Sequence, residues 1–338
     1  MVGIGIVGFG YWGPNYLRIL RQLDRVNYIA VCDSDPTRVA SLNGDKVKKY
    51  TAFADIVADT NVDAIIIATP SPAHYVLAMQ ALQSGKHILV EKPVTLTAKE
   101  AKELQILAEE KQRVLTTGHV FLYNEGICFL KEHIQKSDFG KIHEIECIRQ
   151  GHGPVRTEIN VMWDLATHDI SILLYLLGKM PTRVSARGFK YRPNTVQEDS
   201  VVMTLEFPGN INCIIKVNWQ YPIKERRVTV IGEKQMIRFS DTEPTAPVII
   251  YHKTVTPHGE ISNPEYGMFK MITSDDGYQV PVVKMREPLL LQIEDFLDAI
   301  ENKKQPRSDG KLGRDVVVIL EAATHSLKNN GQEVMLGE

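Results

Sequence analysis

The sequence predicts an α/β domain followed by an α+β domain: first a doubly wound parallel sheet, then a large, open, mostly antiparallel sheet. Three observations predict it. Over residues 1–119 short β-rich runs alternate with helical stretches, the pattern that covers a parallel sheet with helices. Over residues 120–338 longer strands succeed one another through turn-like segments such as Pro208-Gly209-Asn210, the mark of antiparallel pairing. At 338 residues the chain also exceeds what one hydrophobic core usually organises.

In order, the first domain is expected to hold strands at 4–7, 28–32, 64–68, 88–90 and 114–116, with helices at 15–23, 36–42, 73–84 and 98–111. These five strands imply the doubly wound sheet. In the second domain a helix at 126–135 leads to a strand at 142–149, then to a polar loop and a helix at 161–177. Strands at 184–189, 200–207, 212–219, 226–231 and 235–239 follow, and one face of their sheet is expected to serve a homodimer or homotetramer. Residues 242–278 are rich in Pro, Thr and Gly and take no assignment, whereas 288–301 and 309–329 read as amphipathic helices.

Composition narrows the functional classes. With 39 basic and 41 acidic residues, a formal charge of -2, there is no electrostatic reason to expect nucleic acid or an anionic membrane as partner. Cys32, Cys128, Cys147 and Cys213 are scattered without CxxC or metal-ligand spacing, so reduced thiols and no metal are expected. Neither a signal-peptide pattern nor an apolar run of about 20 residues is present, which leads to the expectation of a cytoplasmic protein.

Gly8-Phe9-Gly10-Tyr11-Trp12-Gly13 fits GxGxxG directly after an apolar strand and before a helix. The first glycine can make the tight turn, the second lets backbone approach a pyrophosphate, and the third permits close helix-strand packing. The helix N-terminus then attracts phosphate. Asp33 follows Gly13 by 20 residues, at the end of the second strand, where a carboxylate accepts hydrogen bonds from an adenosine ribose. A Rossmann domain binding NAD is therefore expected. NADP is disfavoured by like charge between Asp33 and a 2'-phosphate, although Arg38 lies close enough in sequence to soften that repulsion.

Asp164 and His168 stand four positions apart on a predicted helix, so both emerge on one face and can address one substrate carbon. Oxidising a secondary alcohol requires hydride loss from carbon and proton loss from oxygen, and imidazole titrates near working pH. His168 is the expected acid/base. Taken singly, His168 also reads as a hydrogen-bonded structural histidine, Asp164 as an acid at a helix N-terminus and Lys92 as a solvated loop lysine.

Several segments together carry a family resemblance: the nucleotide loop with Pro14-Asn15, Ala68-Thr69-Pro70 with His74, Glu91-Lys92-Pro93, Gly118-His119, His119-Val120-Phe121-Leu122-Tyr123-Asn124, and Asn160-Val161-Met162-Trp163-Asp164 through His168-Asp169-Ile170. The chain resembles the glucose-fructose oxidoreductase, inositol dehydrogenase and MocA (Gfo/Idh/MocA) family, whose hallmark is the Glu-Lys-Pro tripeptide. Within it the likeness is greatest to sugar and nucleotide-sugar 3-dehydrogenases and 3-ketoreductases. Glu125-Gly126 stands where relatives commonly show Pro-Ala, and Thr167 where Pro is common; both departures fall beside the expected pocket.

The resemblance implies that Lys92 lies near the nicotinamide, where its ammonium would stabilise a developing alkoxide. It also implies a cis Lys92-Pro93 bond. Asp164 would orient substrate or imidazole, and a neutral Lys92 is an alternative proton acceptor to His168. Thr69, Pro70 and Glu91 are expected at the cofactor. His74 would line that site or simply begin a helix; Tyr123 and Asn124 would contact sugar hydroxyls or cap the next helix. His119 and Asn160 are further substrate candidates. Arg156 would pair with a substrate carboxylate or diphosphate, or remain an ordinary loop arginine. Trp163 and Trp219 read as packing residues.

The function so implied is NAD-linked oxidation or reduction of a hydroxyl on a sugar, at C3 of a nucleotide-linked one. Two alternatives stand beside it: a free polyol or inositol dehydrogenase, and a nucleotide-sensing regulatory protein that keeps the fold without turnover.

Overall fold

The computed structural model describes residues 1–40, 42, 47–153, 158–193, 197–257 and 271–337. Its contacts divide the chain into two compact units, Met1–Asn124 with Arg286–Glu321, and Glu125–Met285 with Ala322–Glu338.

The first unit is built on a parallel sheet of order β3-β2-β1-β4-β5-β6, formed by β1 (Val2–Val7), β2 (Val26–Cys32), β3 (Val47–Tyr50), β4 (Ala64–Ile67), β5 (His87–Val90) and β6 (Leu115–Thr117). Helices α1 (Gly13–Leu20), α2 (Pro36–Ala40), α3 (Phe53–Ala58), α4 (His74–Gln83) and α5 (Ala98–Glu110) connect the strands. Every residue of β1 and β4 is buried, as expected of strands covered on both faces. Val7 pairs with Cys32 on one side and with Ile67 on the other, so the carboxyl ends of β1, β2 and β4 lie abreast. Strand order reverses between β1 and β4, the topological switch point at which such sheets bind ligands.

Six strands stand where the sequence predicts five. The addition is β3, Val47-Lys48-Lys49-Tyr50, an edge strand with two exposed lysines and no buried face, so it carries no hydrophobic periodicity to detect.

The sequence also predicts a single cut after residue 119, whereas the chain passes to the second unit after Asn124 and returns for Arg286–Glu321. The reason is hydrophobic. Helix Pro288–Asn302 buries Leu289, Ile293, Phe296 and Leu297 in one cluster with Ile4, Tyr16, Ile19 and Leu20. Each fully buried side chain of this size contributes about 1.5–3 kcal/mol. The amphipathic pattern of this helix was legible, but not which sheet its apolar stripe faces.

In the second unit α6 (Glu125–His133), β7 (Ile142–Gln150) and α7 (Thr167–Leu177) precede β8 (Arg183–Phe189), β9 (Ser200–Phe207), β10 (Ile211–Asn218), β11 (Glu225–Gly232), β12 (Met236–Ser240), β13 (Val248–Pro257) and β14 (Met271–Gln279). With β15 (Val334–Met335) they form a sheet of order β14-β13-β12-β11-β7-β10-β9-β8-β15, antiparallel except where β7 and β10 run parallel. The segment left unassigned by sequence supplies β13 and β14.

The helix expected over 161–177 is interrupted: Met162–Ala166 forms a π turn and α7 begins only at Thr167. Helix α7 is buried almost all round, which is why its sequence shows little amphipathicity, and Gly178 closes it in the left-handed region at φ 65°. All four cysteines are free. No helix among the described residues is long and apolar enough to cross a membrane.

Candidate active site

The three glycines of the nucleotide loop do three different jobs. Gly8 has φ +93°, and a Cβ there would lie 2.7 Å from the Ala68 carbonyl, so both conformation and space require glycine. A Cβ on Gly13 would lie 2.5 Å from the Gly8 carbonyl oxygen, which lets α1 start hard against the loop. Around Gly10 the space is open: the nearest atom to a Cβ would be Arg38 Nη1 at 3.7 Å. This is the backbone over which a pyrophosphate can pass. Helix α1 opens with Pro14 and has no acid in its first turn, so nothing there opposes an anion. Tyr11 is exposed, while Phe9 and Trp12 are half-buried.

Asp33 is buried at the end of β2, and its carboxylate organises the loop. Oδ2 accepts from Phe9 N at 2.6 Å, Oδ1 accepts from Asp35 N at 2.9 Å, and Arg38 Nη1 stands 3.4 Å from Oδ2. Thr69 brings a second feature to this edge: its Oγ1 is buried with no hydrogen-bond partner among the described residues. A cradle open only at Gly10, an acid at the ribose position and an orphaned hydroxyl together fit NAD.

Beside this loop, Glu91-Lys92-Pro93 leaves β5 with a cis Lys92-Pro93 bond. Glu91 is buried and accepts from Tyr16 Oη at 2.7 Å and from Lys92 N at 3.2 Å. Burial and the facing Glu91 carboxylate push the Tyr16 phenol well above its ordinary range. A Cβ on Gly118 would sit 2.9 Å from Glu91 Oε2, which accounts for the Gly before His119. Glu91 thus anchors α1 to the strand that carries Lys92, and Lys92 itself is half-buried.

His74 takes the second of the readings offered by the sequence, the start of a helix. It begins α4, and its imidazole bridges the two loops of the site: Nδ1 lies 2.8 Å from the Pro93 carbonyl and Nε2 lies 2.9 Å from the Thr69 carbonyl. His119 is also buried. Burial, with Lys92 nearby, pushes its pKa down to about 3, so it is neutral at working pH. Neither ring nitrogen has a hydrogen-bond partner among the described residues.

Tyr123 differs from the expected sugar contact. It is buried, its hydroxyl donates to Asp295 Oδ2 at 2.7 Å, and the Arg307 guanidinium lies 5.0 Å from its ring centroid. The tyrosine is committed to holding the returning helix. Asn124 is buried immediately before α6, in the capping position.

In the second unit, Asp164 and His168 are both buried, Asp164 in the π turn and His168 in the first turn of α7. Trp219, at the end of β10, donates its indole N–H to Asp164 Oδ2 at 3.2 Å. The sequence assigned this tryptophan to packing alone. Asn160 starts the π turn: its Oδ1 accepts from Trp163 N at 3.1 Å and its Nδ2 donates to Glu198 Oε2 at 2.8 Å. Trp163 Nε1 donates to Thr324 Oγ1 at 3.0 Å. Arg156 lies outside the described residues.

Next to His168, Asp169 receives three hydrogen bonds from Arg149 of β7, at 2.9–3.1 Å, and both side chains are buried. This pair fixes α7 to the sheet. Sequence reading missed it because a charged residue on a strand or helix is normally solvent-facing; its only signal was that Arg149 ends a strand whose alternation elsewhere turns apolar residues inward. Among the described residues no group of three or more His, Cys, Asp or Glu is placed to hold a metal ion.

Comparison with known proteins bears on these residues. A family model described as an oxidoreductase family with an NAD-binding Rossmann fold matches residues 2–119, and a GFO/IDH/MocA C-terminal domain model matches residues 128–238. The chain is 27% identical over 315 residues, 93% of each chain, to the UDP-N-acetylglucosamine 3-dehydrogenase of Acidithiobacillus ferrooxidans. That enzyme's structure superposes with a TM-score of 0.80 over 97% of this chain and 99% of its own. The scyllo-inositol 2-dehydrogenase (NADP(+)) of Bacillus subtilis is 24% identical over 341 residues, 97% of this chain and 94% of its own. A gentamicin A biosynthesis protein, GenD2, solved in complex with NAD, shares the fold with a TM-score of 0.83 at 23% identity, over 100% of this chain and 97% of its own.

Proposed function

Because this chain belongs to the GFO/IDH/MocA family of oxidoreductases with an NAD-binding Rossmann domain, we propose that it moves a hydride between NAD(H) and a secondary alcohol of a sugar or nucleotide sugar, at C3 of the ring. The observation that carries this reading is the buried Asp164, held by the Trp219 indole one π turn ahead of a buried His168. π turns concentrate at functional sites because they interrupt the regular helical ladder. The likeness over 93% of both chains to a UDP-N-acetylglucosamine 3-dehydrogenase supports the substrate class and the carbon.

Gly8, Gly10, Gly13, Asp33 and Thr69 would hold the dinucleotide, whose nicotinamide supplies the hydride acceptor or donor. In the oxidative direction His168 takes the hydroxyl proton as the alcohol carbon loses hydride, and in the reductive direction it returns that proton. Lys92 stabilises negative charge developing on the same oxygen, and Asp164 orients the substrate or the imidazole. His74 and Glu91 act behind Lys92, holding its loop. A cytoplasmic location and a homo-oligomeric assembly complete the proposal.

Absorbance of reduced nicotinamide, followed with UDP-N-acetylglucosamine, free sugars and free inositols, tests the assignment. Turnover on the nucleotide sugar is the expected result, with His168→Asn losing about 100-fold or more in kcat while binding NAD normally. A free inositol exceeding every nucleotide sugar in kcat/KM would transfer the assignment to a polyol dehydrogenase, the reading favoured by the likeness to scyllo-inositol 2-dehydrogenase. Tight NAD binding without turnover on any of these alcohols or their ketones would leave a sensor.

A further inference from the structure

A cleft of about 400 Å³ lies in the first unit at the amino-terminal edge of the parallel sheet, lined by residues that precede or open β1, β4, β5 and β6, among them Asp63, Lys86, His87 and Arg113. The nucleotide loop follows the carboxyl end of β1, so a six-residue strand, about 20 Å long, separates the two. None of the reactions considered above uses this cleft.

We propose that it is a second ligand site, taking an oxyanion, the phosphoryl or carboxylate group of a small molecule, between His87 and Arg113. The argument is a tally of donors and acceptors. Val114 N donates to His87 Nδ1 at 2.9 Å, so Nδ1 carries the lone pair and the neutral ring must bear its proton on Nε2. Yet Nε2 stands 3.3 Å from Arg113 Nη1, which is also a donor. Two donors therefore oppose each other across 3.3 Å, a conflict that an acceptor entering beside them would relieve. Burial first, and the Arg113 charge second, push the His87 pKa down to about 4, in keeping with a neutral ring.

Two carboxylates of the cleft already hold donors of the protein. Asp63 Oδ2 accepts from Gly3 N at 2.8 Å, and Glu301 accepts from the Arg25 guanidinium. Arg113, by contrast, has no carboxylate partner among the described residues. Lys86 gives two of its three hydrogens to the Asp59 and Val62 carbonyls, at 2.9 and 2.6 Å, and keeps one. The Arg113 guanidinium and the third Lys86 hydrogen remain to be met, and an acceptor-rich anion is their complement.

The test uses the full chain saturated with NAD, so that the nucleotide loop cannot take the probe. Protein labelled with 15N-histidine is titrated with inorganic phosphate, and separately with acetate, against chloride at equal ionic strength. A saturable shift of His87 Nε2 is expected, weakened about tenfold or more in Arg113→Gln. Arg113 is exposed, so this variant keeps the fold, and its turnover should match the parent. A response to phosphate alone assigns a phosphoryl group, to acetate alone a carboxylate, and to both a general oxyanion site. A shift no larger than chloride produces, or an Arg113→Gln titration identical to the parent, overturns the proposal whatever the alcohol substrate proves to be.

Discussion

Trp219 and Asp164 come from segments 55 positions apart in the chain, yet the indole N–H of one is spent on the carboxylate of the other, at 3.2 Å and out of water. A hydrogen bond to a buried charged group is worth about 1.5–3 kcal/mol, enough to set which way the carboxylate points. Trp219→Phe keeps the packing and removes the donor. On the proposed mechanism kcat falls about tenfold or more while the Kd for NAD is unchanged; equal kcat in the two proteins would mean that Asp164 is not positioned this way.

The nucleotide loop offers a contrast between two glycines. Gly8→Ala drives a Cβ into the Ala68 backbone at a φ of +93°, and should lower stability by several kcal/mol, measured by urea unfolding. Gly10→Ala meets nothing nearer than 3.7 Å, so stability should stay within about 0.5 kcal/mol while NAD binding weakens. Normal NAD affinity in Gly10→Ala would show that the dinucleotide does not pass over that residue.

Asp33→Ser removes the charge that repels a 2'-phosphate and releases Arg38, now 3.4 Å from the carboxylate. The ratio of kcat/KM for NAD over NADP should fall at least about tenfold. Part of the loss with NAD comes from the loop itself, because Phe9 N loses its acceptor. An unchanged ratio would remove Asp33 from cofactor selection.

Acid should loosen the first unit through His119. Its pKa falls from 6.5 in the unfolded chain to about 3 in the folded protein, so between these values the unfolded state binds the extra proton. Stability is complete above about pH 6.5 and declines as pH drops toward 3, with about 1.4 kcal/mol at stake per pH unit. In urea titrations from pH 7.5 to 5, His119→Phe should show the shallower slope. A parallel pair of slopes would contradict a buried neutral His119.

Arg149 and Asp169 can be separated or removed together. Arg149→Met strands a buried carboxylate and should cost about 3–5 kcal/mol, whereas Arg149→Met with Asp169→Leu should cost distinctly less. Additive losses in that cycle would mean the two side chains do not depend on each other.

The parts of the site readable in the sequence were those whose chemistry is local in the chain. The glycine spacing encodes a turn at Gly8 and a packing contact at Gly13, both found there, and the space above Gly10 is open. Asp164 and His168 were singled out by the four-residue spacing of helical neighbours, but the π turn, which departs from that spacing, was not legible. Trp219, the Arg149–Asp169 pair and the Tyr16–Glu91 bond escaped notice because each joins distant segments, and nothing in the one announces the other. Tyr123 was misjudged for the same reason, since its partner Asp295 lies on the returning helix. Strand β3 was lost to its lysines, and β13 and β14 to the turn-forming residues around them.

Strands β7 and β10 run in the same direction, and no tight turn can join such neighbours. The chain must leave after Gln150 and travel before it re-enters the sheet at Arg183; that excursion contains the acid, the imidazole and Thr167, which stands where relatives commonly have Pro. Replacements between Gln150 and Arg183 fall outside the pairing of β7 with β10, which runs from Glu144 to Gln150, and leave that ladder in register. One chain reversal left unmade has thereby created a region where preference for a new alcohol can evolve without refolding the sheet.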